Sequence, residues 1–330
     1  MDKNFKLSSV IGVGNALIDI ITQLEEDSLL KAFRLPRGSM TLVDSFVSDK
    51  INEATQNCMK EIKTGGSAAN TIRSLASLGA ECGYLGKIGN DEFGVVFKRE
   101  FEKKEIKTYL AISNKKTGKV IGLVSQDSER TMATFLGAAA DLVPEDFVPS
   151  IFKNYSCLYM EGYLVQNHEL IKTGLEKAKA AGQITAIDLA SYNVVEDNLG
   201  FLKGLIKNNV DIVFANEEEA KALTGMNPDE ALDEISKICK LAIVKLGEKG
   251  SIIKTGNRKY KVDSIKADAV DTTGAGDSYA AGFLYGLIQG YDLEKCGRVA
   301  SLISGKVVEV IGANLPDSTW TEIRDKIRRL

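Results

Sequence analysis

Apolar runs of strand length alternate along this chain with longer stretches in which apolar residues recur at helical spacing. That alternation is the mark of an α/β fold with a largely parallel sheet. The strand-length runs cover residues 10–14, 82–88, 157–161, 184–189, 212–215 and 242–246. Helical spacing covers residues 68–78, 92–104, 168–181, 199–208, 217–223, 229–239, 278–289 and 293–309. Between residues 108 and 136 the pattern changes to three short β-type runs separated by polar turns at residues 114–118 and 126–129, which predicts an antiparallel meander inserted into the α/β body. Two further β-type pieces, residues 17–22 and 39–43, are candidates to join it. So small a sheet buries little by itself, and its natural use is a lid over a cleft. Residues 251–262, with Gly256-Asn257 at their turn, predict a hairpin at the edge of the main sheet. The expected division is a large domain of residues 1–14, 45–107 and 137–330 and a small β lid of residues 15–44 and 108–136.

At 330 residues the chain exceeds the ~250 to 300 residues of one typical core, which agrees with a large domain plus an appended unit. Its 42 Lys and Arg nearly balance 45 Asp and Glu, and basic residues are dispersed except for Arg324, Lys326, Arg328 and Arg329. Those four read as the last turn of a helix, favoured by the helix dipole, so nucleic acid is not an expected partner. No run of ~18 apolar residues occurs, and no membrane span is expected. The apolar stretch that follows Met1-Asp2-Lys3-Asn4, residues 10–21, is interrupted by Asn15 and Asp19, unlike a signal peptide. Cys58, Cys82, Cys157, Cys239 and Cys296 lie far apart with no C-x-x-C pair, and read as buried free thiols of a cytoplasmic protein. His168 is the only histidine, which excludes a multi-histidine metal centre. The chemistry is left to carboxylates, amides, cations and backbone N–H groups.

The most specific segment is Asp271-Thr272-Thr273-Gly274-Ala275-Gly276-Asp277, which feeds a helix carrying Phe283, Leu284, Leu287 and Ile288. Its glycines let backbone N–H groups point at an anion at a helix N-terminus. Asp277 then sits in the first turn beside a held phosphoryl group, where a carboxylate can take the proton of an attacking hydroxyl. Read alone, the same letters also describe a capping Asp after a glycine turn. A second segment, Gly65-Gly66-Ser67-Ala68-Ala69-Asn70, places two glycines before a helix and an amide in its first turn, suited to sugar hydroxyls; the alternative is Ser67 as an ordinary cap. In a third, residues 12–21, Asp19 interrupts an apolar strand-like run, where an ionised carboxylate is costly without a partner or ligand. Asn15 shares its strand parity, but a straight strand separates the two by ~13 Å, so one ligand meets both only if the chain bends near Gly14.

Two more segments follow apolar runs. Asn216-Glu217-Glu218-Glu219 suits a hydrated Mg2+ or a plain acidic helix start. Lys245-Leu246-Gly247-Glu248-Lys249-Gly250 presents Lys245 and backbone N–H groups to phosphate, or forms an ordinary hairpin turn. Rival nucleotide motifs fail on spelling. Gly12-x-Gly14-x-x-Leu17 has Leu where a dinucleotide fingerprint needs its third Gly or Ala, and Gly86-Lys87, Gly118-Lys119 and Gly305-Lys306 lack the Ser or Thr of a P-loop.

Taken together, the segments at residues 65–70 and 271–277, in that order and ~200 residues apart, resemble the two signatures of the PfkB/ribokinase family of carbohydrate and nucleoside kinases. The resemblance spans essentially the whole chain. It implies a doubly wound, ribokinase-like α/β domain with a small β lid, and ATP-dependent, Mg2+-assisted phosphorylation of a primary hydroxyl. Asp277 would be the catalytic base, and Gly274, Ala275 and Gly276 the anion hole. Asn15, Asp19, Gly65, Gly66 and Asn70 would hold the acceptor. Asn216 and Glu219 would order Mg2+ and phosphates, while Lys245, Gly247, Gly250, Thr272 and Thr273 would lie along the ATP and residues 301–313 would frame its adenine. Asp271 and Thr273 bind a monovalent cation such as K+ in some members. Within the family, residues 14–19, 38–44 and Arg130-Thr131-Met132 most resemble bacterial adenosine-kinase-like members. Arg130 would then reach the transferring phosphate, and Tyr163 would contact a nucleobase or serve as an ordinary strand-end aromatic. Thr273 stands where eukaryotic adenosine kinases commonly carry Asn, which leaves ribokinase-like and fructokinase-like acceptors open beside adenosine. A non-catalytic ligand-binding relative is the reading from another class, and the family permits either a monomer or a homodimer.

Overall fold

The computed structural model describes residues 5–127 and 129–330; Met1-Asp2-Lys3-Asn4 and Ser128, in the second expected turn of the meander, lie outside the described residues. In chain order the strands are β1 (Ser9–Val13), β2 (Leu17–Gln23), β3 (Met40–Leu42), β4 (Lys60–Gly65), β5 (Glu81–Gly89), β6 (Lys107–Ser113), β7 (Gly118–Val124), β8 (Arg130–Phe135), β9 (Cys157–Glu161), β10 (Ile184–Asp188), β11 (Ile212–Asn216), β12 (Leu241–Lys245), β13 (Ser251–Thr255) and β14 (Arg258–Val262). Nine of them form one sheet in the order β14-β13-β12-β11-β10-β9-β1-β5-β6. Pairing is parallel from β12 through to β6, and β13 and β14 add two antiparallel hairpin strands at one edge, as the Gly256-Asn257 turn predicts.

Strands β1 and β9 are buried at every residue, as parallel strands covered by helices on both faces must be. Side chains alternate across the sheet, so Val10 joins the core that holds Tyr84, Phe97, Phe101 and Phe214, whereas Ile11 and Val13 join the core that holds Phe147, Phe152 and Met160. From β1 the order steps one way to β5 and the other way to β9. Open α/β sheets bind ligands at such a switch point, beyond the carboxyl ends of the strands.

Helices form in all eight segments of helical spacing, with ends set by local chemistry. The side chain of Asp91 accepts from Gly94 N, that of Asn167 from Leu170 N and that of Asp292 from Lys295 N, each satisfying an otherwise orphaned donor. One helix, Pro228–Ile235, is shorter than the periodicity predicts because the chain continues in i→i−3 turns at Lys237 and Ile238 before entering β12. Helices Ser45–Ala54 and Asp317–Arg329 and three short ones, Ser28–Ala32, Pro149–Phe152 and Tyr192–Asp197, lie outside the predicted segments, and Asp317–Arg329 carries Lys326, Arg328 and Arg329 in its last turn. No helix of the described residues is long and apolar enough to cross a membrane. All five cysteines are free; Cys82, Cys157 and Cys296 are buried, but Cys58 and Cys239 are only half-buried.

The second sheet has the order β3-β8-β7-β2-β4 and corrects the expected lid in two places. Strand β6, expected in the lid, pairs parallel with β5 from Gly83↔Lys107 to Gly89↔Ser113 and closes the large sheet. The intervening helix Glu92–Lys103 is the crossover that a parallel pair requires, and a short β-type run carries no mark of which sheet it will join. Strand β4, expected in the large domain, pairs antiparallel with β2 from Leu17↔Gly65 to Thr22↔Lys60. Its sequence Lys-Glu-Ile-Lys-Thr-Gly lacks an apolar signal because it is an edge strand guarded by charge. The chain passes from one sheet to the other at Gly14–Ala16, and this supplies the bend that Asn15 and Asp19 need. Within β2, Ile18 and Ile20 join the core while Leu17, Asp19 and Ile21 face the space between the sheets.

Candidate active site

A cleft of about 1630 Å3 separates the carboxyl ends of the large sheet from the small sheet. Single-ligand pockets run to ~300–1,000 Å3, so two ligands fit side by side. Neighbouring strand ends supply a row of functional groups: Glu161 closes β9, Asp188 closes β10, Asn216 closes β11 and Lys245 closes β12. Asn15, Asp19, Gly66, Asn70, Arg130, Tyr163, Glu219, Gly247, Gly250, Thr272, Thr273 and the Gly274–Asp277 turn complete the predicted residues that line it. Gly65 and Asp271 stand behind the lining, against Asp19 and Thr273 respectively.

The two glycine-rich segments meet at one carboxylate. Gly274 takes a left-handed φ of 75°, where a side chain would also overlap Ala313, and the helix Ala275–Ile288 begins immediately after it. Asp277 therefore lies in the first helical turn. Ser67 Oγ donates to its Oδ1 at 2.7 Å and Asn70 Nδ2 to its Oδ2 at 2.9 Å, across sequence separations of 210 and 207 residues. Ser67 is not the cap of its own helix; Gly66 occupies that position, with φ 100°, and no side chain caps it. The amide of Asn70 is itself held, because Arg73 Nη2 donates to its Oδ1 at 2.9 Å while Arg73 Nη1 is anchored on the Thr64 carbonyl at 2.7 Å. Burial raises the Asp277 carboxyl to about 6 against the lowering effect of the Ser67 and Asn70 hydrogen bonds.

On the small-sheet side, Asp19 accepts no hydrogen bond among the described residues, and burial raises its carboxyl to about 6 although Arg73, Arg130 and Lys63 act to lower it. Its oxygens are free for a ligand. A Cβ at Gly65 would overlap this carboxylate and one at Gly66 would overlap the Asn15 carbonyl, so the glycine pair makes room for the protein's own atoms. Asn15 donates from both N and Nδ2 to Glu161 Oε1, at 2.9 and 2.5 Å, and Ala68 N donates to Glu161 Oε2 at 2.9 Å. Glu161 is 1% exposed and burial raises it to about 7. Glu161 and Asp188 are the lining carboxylates that motif reading passes over. The signal was there: each is an acid that ends a strand otherwise wholly apolar or β-forming. Tyr163 lies half-buried in the short 3-10 turn Gly162–Gln166, its hydroxyl pKa pushed up by burial. His168 stands at the rim, stacked on Phe201 with ring centroids 3.7 Å apart.

On the other side of Asp277, Lys245 Nζ donates to Asp188 Oδ2 at 2.8 Å and lies beside Gly276. Burial alone would lower the Lys245 ammonium, but Asp188 and Glu219 hold it above its ordinary value. With side-chain exposures of 14% and 5%, removing one partner of this pair strands the other's charge. Lys245→Met is expected to cost ~3–5 kcal/mol in urea unfolding, and Lys245→Met/Asp188→Asn to recover most of it. Equal losses in the single and double variants would show that the pair is not coupled. Residues 264–267 and the helix Leu293–Val307, in contact where Gly305 leaves room for Ile265, line the far end of the cleft.

The sequence profile described as pfkB family carbohydrate kinase matches residues 43–320. The chain belongs to the pfkB family. Among solved structures it resembles a probable sugar kinase from Rhizobium etli, at 32% identity and a TM-score of 0.88 over 98% of this chain and 99% of that one. It also resembles the adenosine kinase from Sinorhizobium meliloti, at 34% identity and a TM-score of 0.87 over 97% and 99%. A nucleoside kinase from Methanocaldococcus jannaschii is 28% identical over 277 residues, 80% of this chain and 85% of that protein.

In this pfkB kinase two further predicted groups are engaged with partners of their own. Asn216 and Glu219 are occupied with each other: Asn216 N donates to Glu219 Oε2, Asn216 Nδ2 to Glu219 Oε1 and Glu219 N to Asn216 Oδ1, all at 2.8 Å. This reciprocal cap buries Glu219, and burial raises its carboxyl to about 7. No group of three or more His, Cys, Asp or Glu suited to a metal occurs among the described residues. The chain therefore offers no cage for direct coordination, but the pair fits a Mg2+ that keeps its waters and travels on the nucleotide phosphates. Arg130, at the start of β8, is also engaged: its Nη1 donates to Asp271 Oδ2 at 2.6 Å and to Thr273 Oγ1 at 2.5 Å. Lys63 of β4 donates to the Ile311 carbonyl at 3.3 Å, so the small sheet clasps the body at two points.

Proposed function

We propose that this kinase transfers the γ-phosphoryl group of ATP to the primary hydroxyl of a nucleoside, with adenosine the preferred acceptor. The observation that carries this reading is the apolar wall beside Asp19, built from Leu17, Met40, Val120, Met132 and Leu136 on the small-sheet side of the cleft and Leu164 opposite. A bare sugar is ringed by hydroxyls and would leave that wall unsatisfied. A nucleoside offers ribose hydroxyls to Asp19 and Asn70 and a flat, weakly polar base to the wall. Similarity to the adenosine kinase and nucleoside kinase above supports the same acceptor class.

The small sheet acts as the lid. Asp277 accepts the proton of the acceptor hydroxyl as its oxygen bonds to the γ-phosphorus, the bond from that phosphorus to the β,γ-bridging oxygen breaks, and ADP leaves. Backbone N–H groups of Gly274 and Gly276 meet the charge of the transferring group, that of Ala275 being engaged by the Thr272 carbonyl at 3.1 Å, and Lys245 adds a positive charge beside them. Bound Mg2+ supplies neutralisation of the phosphate charge. The unpartnered, buried Nε of Arg130 remains available to the same group. Steady-state ADP release with adenosine, inosine, guanosine, ribose and fructose tests the acceptor. Adenosine is expected to exceed ribose and fructose in kcat/KM by at least about tenfold, the worth of ~1.4 kcal/mol of base contact. Equal values for adenosine and ribose would remove the nucleoside reading in favour of a sugar acceptor, the reading favoured by the Rhizobium etli relative.

A further inference from the structure

The family resemblance implies a monovalent cation on Asp271 and Thr273. We propose instead that the guanidinium of Arg130 takes that cation's place in this chain, so that the lid itself supplies the positive charge at the root of the anion loop. The carboxylate oxygens such an ion would need are already filled. Asp271 Oδ1 accepts from Thr273 N at 3.0 Å and from Thr273 Oγ1 at 2.8 Å, while Oδ2 accepts from Gly312 N at 2.7 Å and from Arg130 Nη1 at 2.6 Å. Thr273 Oγ1 donates to Asp271 and accepts from Arg130, which leaves it a single acceptor lone pair beside the guanidinium. The Arg130 and Asp271 side chains are 16% and 13% exposed, so solvent screens the pair weakly, and a second positive charge at the same oxygens would be repelled by the guanidinium.

The consequence is mechanical as well as electrostatic. A free ion would arrive from solvent whatever the position of the lid, whereas Arg130 arrives on β8 of the small sheet. Its one contact ties together the lid, the turn that starts the helix Ala275–Ile288, and Gly312. Ordering of the anion loop is thereby coupled to lid closure. Gly122 opposite Arg130 has room around the guanidinium, with Nε and Nη2 both 3.6 Å from the position of a Cβ.

Thermal unfolding of the full chain without nucleotide, in KCl and in tetramethylammonium chloride at matched ionic strength, tests the inference independently of the acceptor. The wild-type chain is expected to unfold at the same temperature in both salts and to release ADP at the same rate, since matched ionic strength screens charge equally. Arg130→Ala vacates the oxygens. Its unfolding temperature, and its lowered rate, should then rise saturably with K+ but not with tetramethylammonium, and Arg130→Ala/Asp271→Asn should lose that response. Arg130→Met, which keeps the side-chain bulk, repeats the test if the alanine variant does not fold. A saturable K+ response in the wild type overturns the inference, as does a folded Arg130 variant indifferent to K+, since Arg130 would then be filling nothing.

Discussion

Asp277→Asn should lower turnover by about 10²–10⁴-fold, the usual worth of a general base, while the fold and the affinity for ATP stay close to wild type. The amide is isosteric and its Oδ1 can still accept the 2.7 Å hydrogen bond from Ser67, while its Nδ2 gives up the bond from Asn70 Nδ2, so what is lost is proton acceptance and one hydrogen bond. The pH dependence makes the same point with a sign. Burial places the Asp277 carboxyl at about 6, and a base works only when ionised. In the wild type, kcat/KM is therefore expected to be level above pH 6 and to fall about tenfold per pH unit below it, rather than near pH 4 as for an exposed carboxylate. In Asp277→Asn that limb should disappear from the residual rate. Asp19, also raised to about 6, titrates in the same window, so a limb that survives in Asp277→Asn but vanishes in Asp19→Asn would assign the limb to Asp19. Near-wild-type turnover of Asp277→Asn eliminates Asp277 as the base.

Asp19→Ala is expected to raise the KM for the acceptor by about 10²–10⁴-fold and leave the KM for ATP unchanged. A hydrogen bond from a ligand hydroxyl to a buried carboxylate contributes ~1.5–3 kcal/mol, and two such bonds to one sugar give an effect of this order. No neighbour in the described structure accepts that role in its place, because the other carboxylate on this side, Glu161, is already committed to Asn15 and Ala68. Gly65→Ala is the companion experiment. Its added Cβ would overlap the Asp19 carboxylate and turn it away from the cleft, so the acceptor KM should rise although the charge remains. Initial rates with each substrate varied in turn separate the cases. A rise confined to the KM for ATP in either variant would place Asp19 on the nucleotide side and reverse the assignment of the two halves of the cleft.

The alternation of strand-length and helix-length segments was sufficient for the large sheet, because a parallel strand covered on both faces is apolar throughout and its crossover helix is amphipathic. Local turn chemistry was equally legible, as in the Gly256-Asn257 hairpin and the glycine turn before Asp277. Pairing partners were not. Strand β6 joined the sheet opposite to the one expected, and residues 60–65, expected within the large domain and not as a strand, became an edge of the small sheet, since hydrogen-bonding edges are shared between residues distant in the chain and leave no local pattern.

The site divides along the same line. Residue types and spacing determined that Asp277 follows a glycine turn at a helix start, that a glycine pair and Asn70 open another helix, and that Asp19 is anomalous in its strand. Only the tertiary structure decided that Ser67 and Asn70 grip Asp277 across more than two hundred residues. It also decided that Glu161 and Asp188 stand at the ends of adjacent strands, and that Asp271 holds Arg130 rather than offering open oxygens. The physical reason is that a backbone turn is set by its own few residues, whereas the partner of a buried charge is set by whichever distant segment the fold carries to it. Burial then fixes how strongly that charge needs the partner.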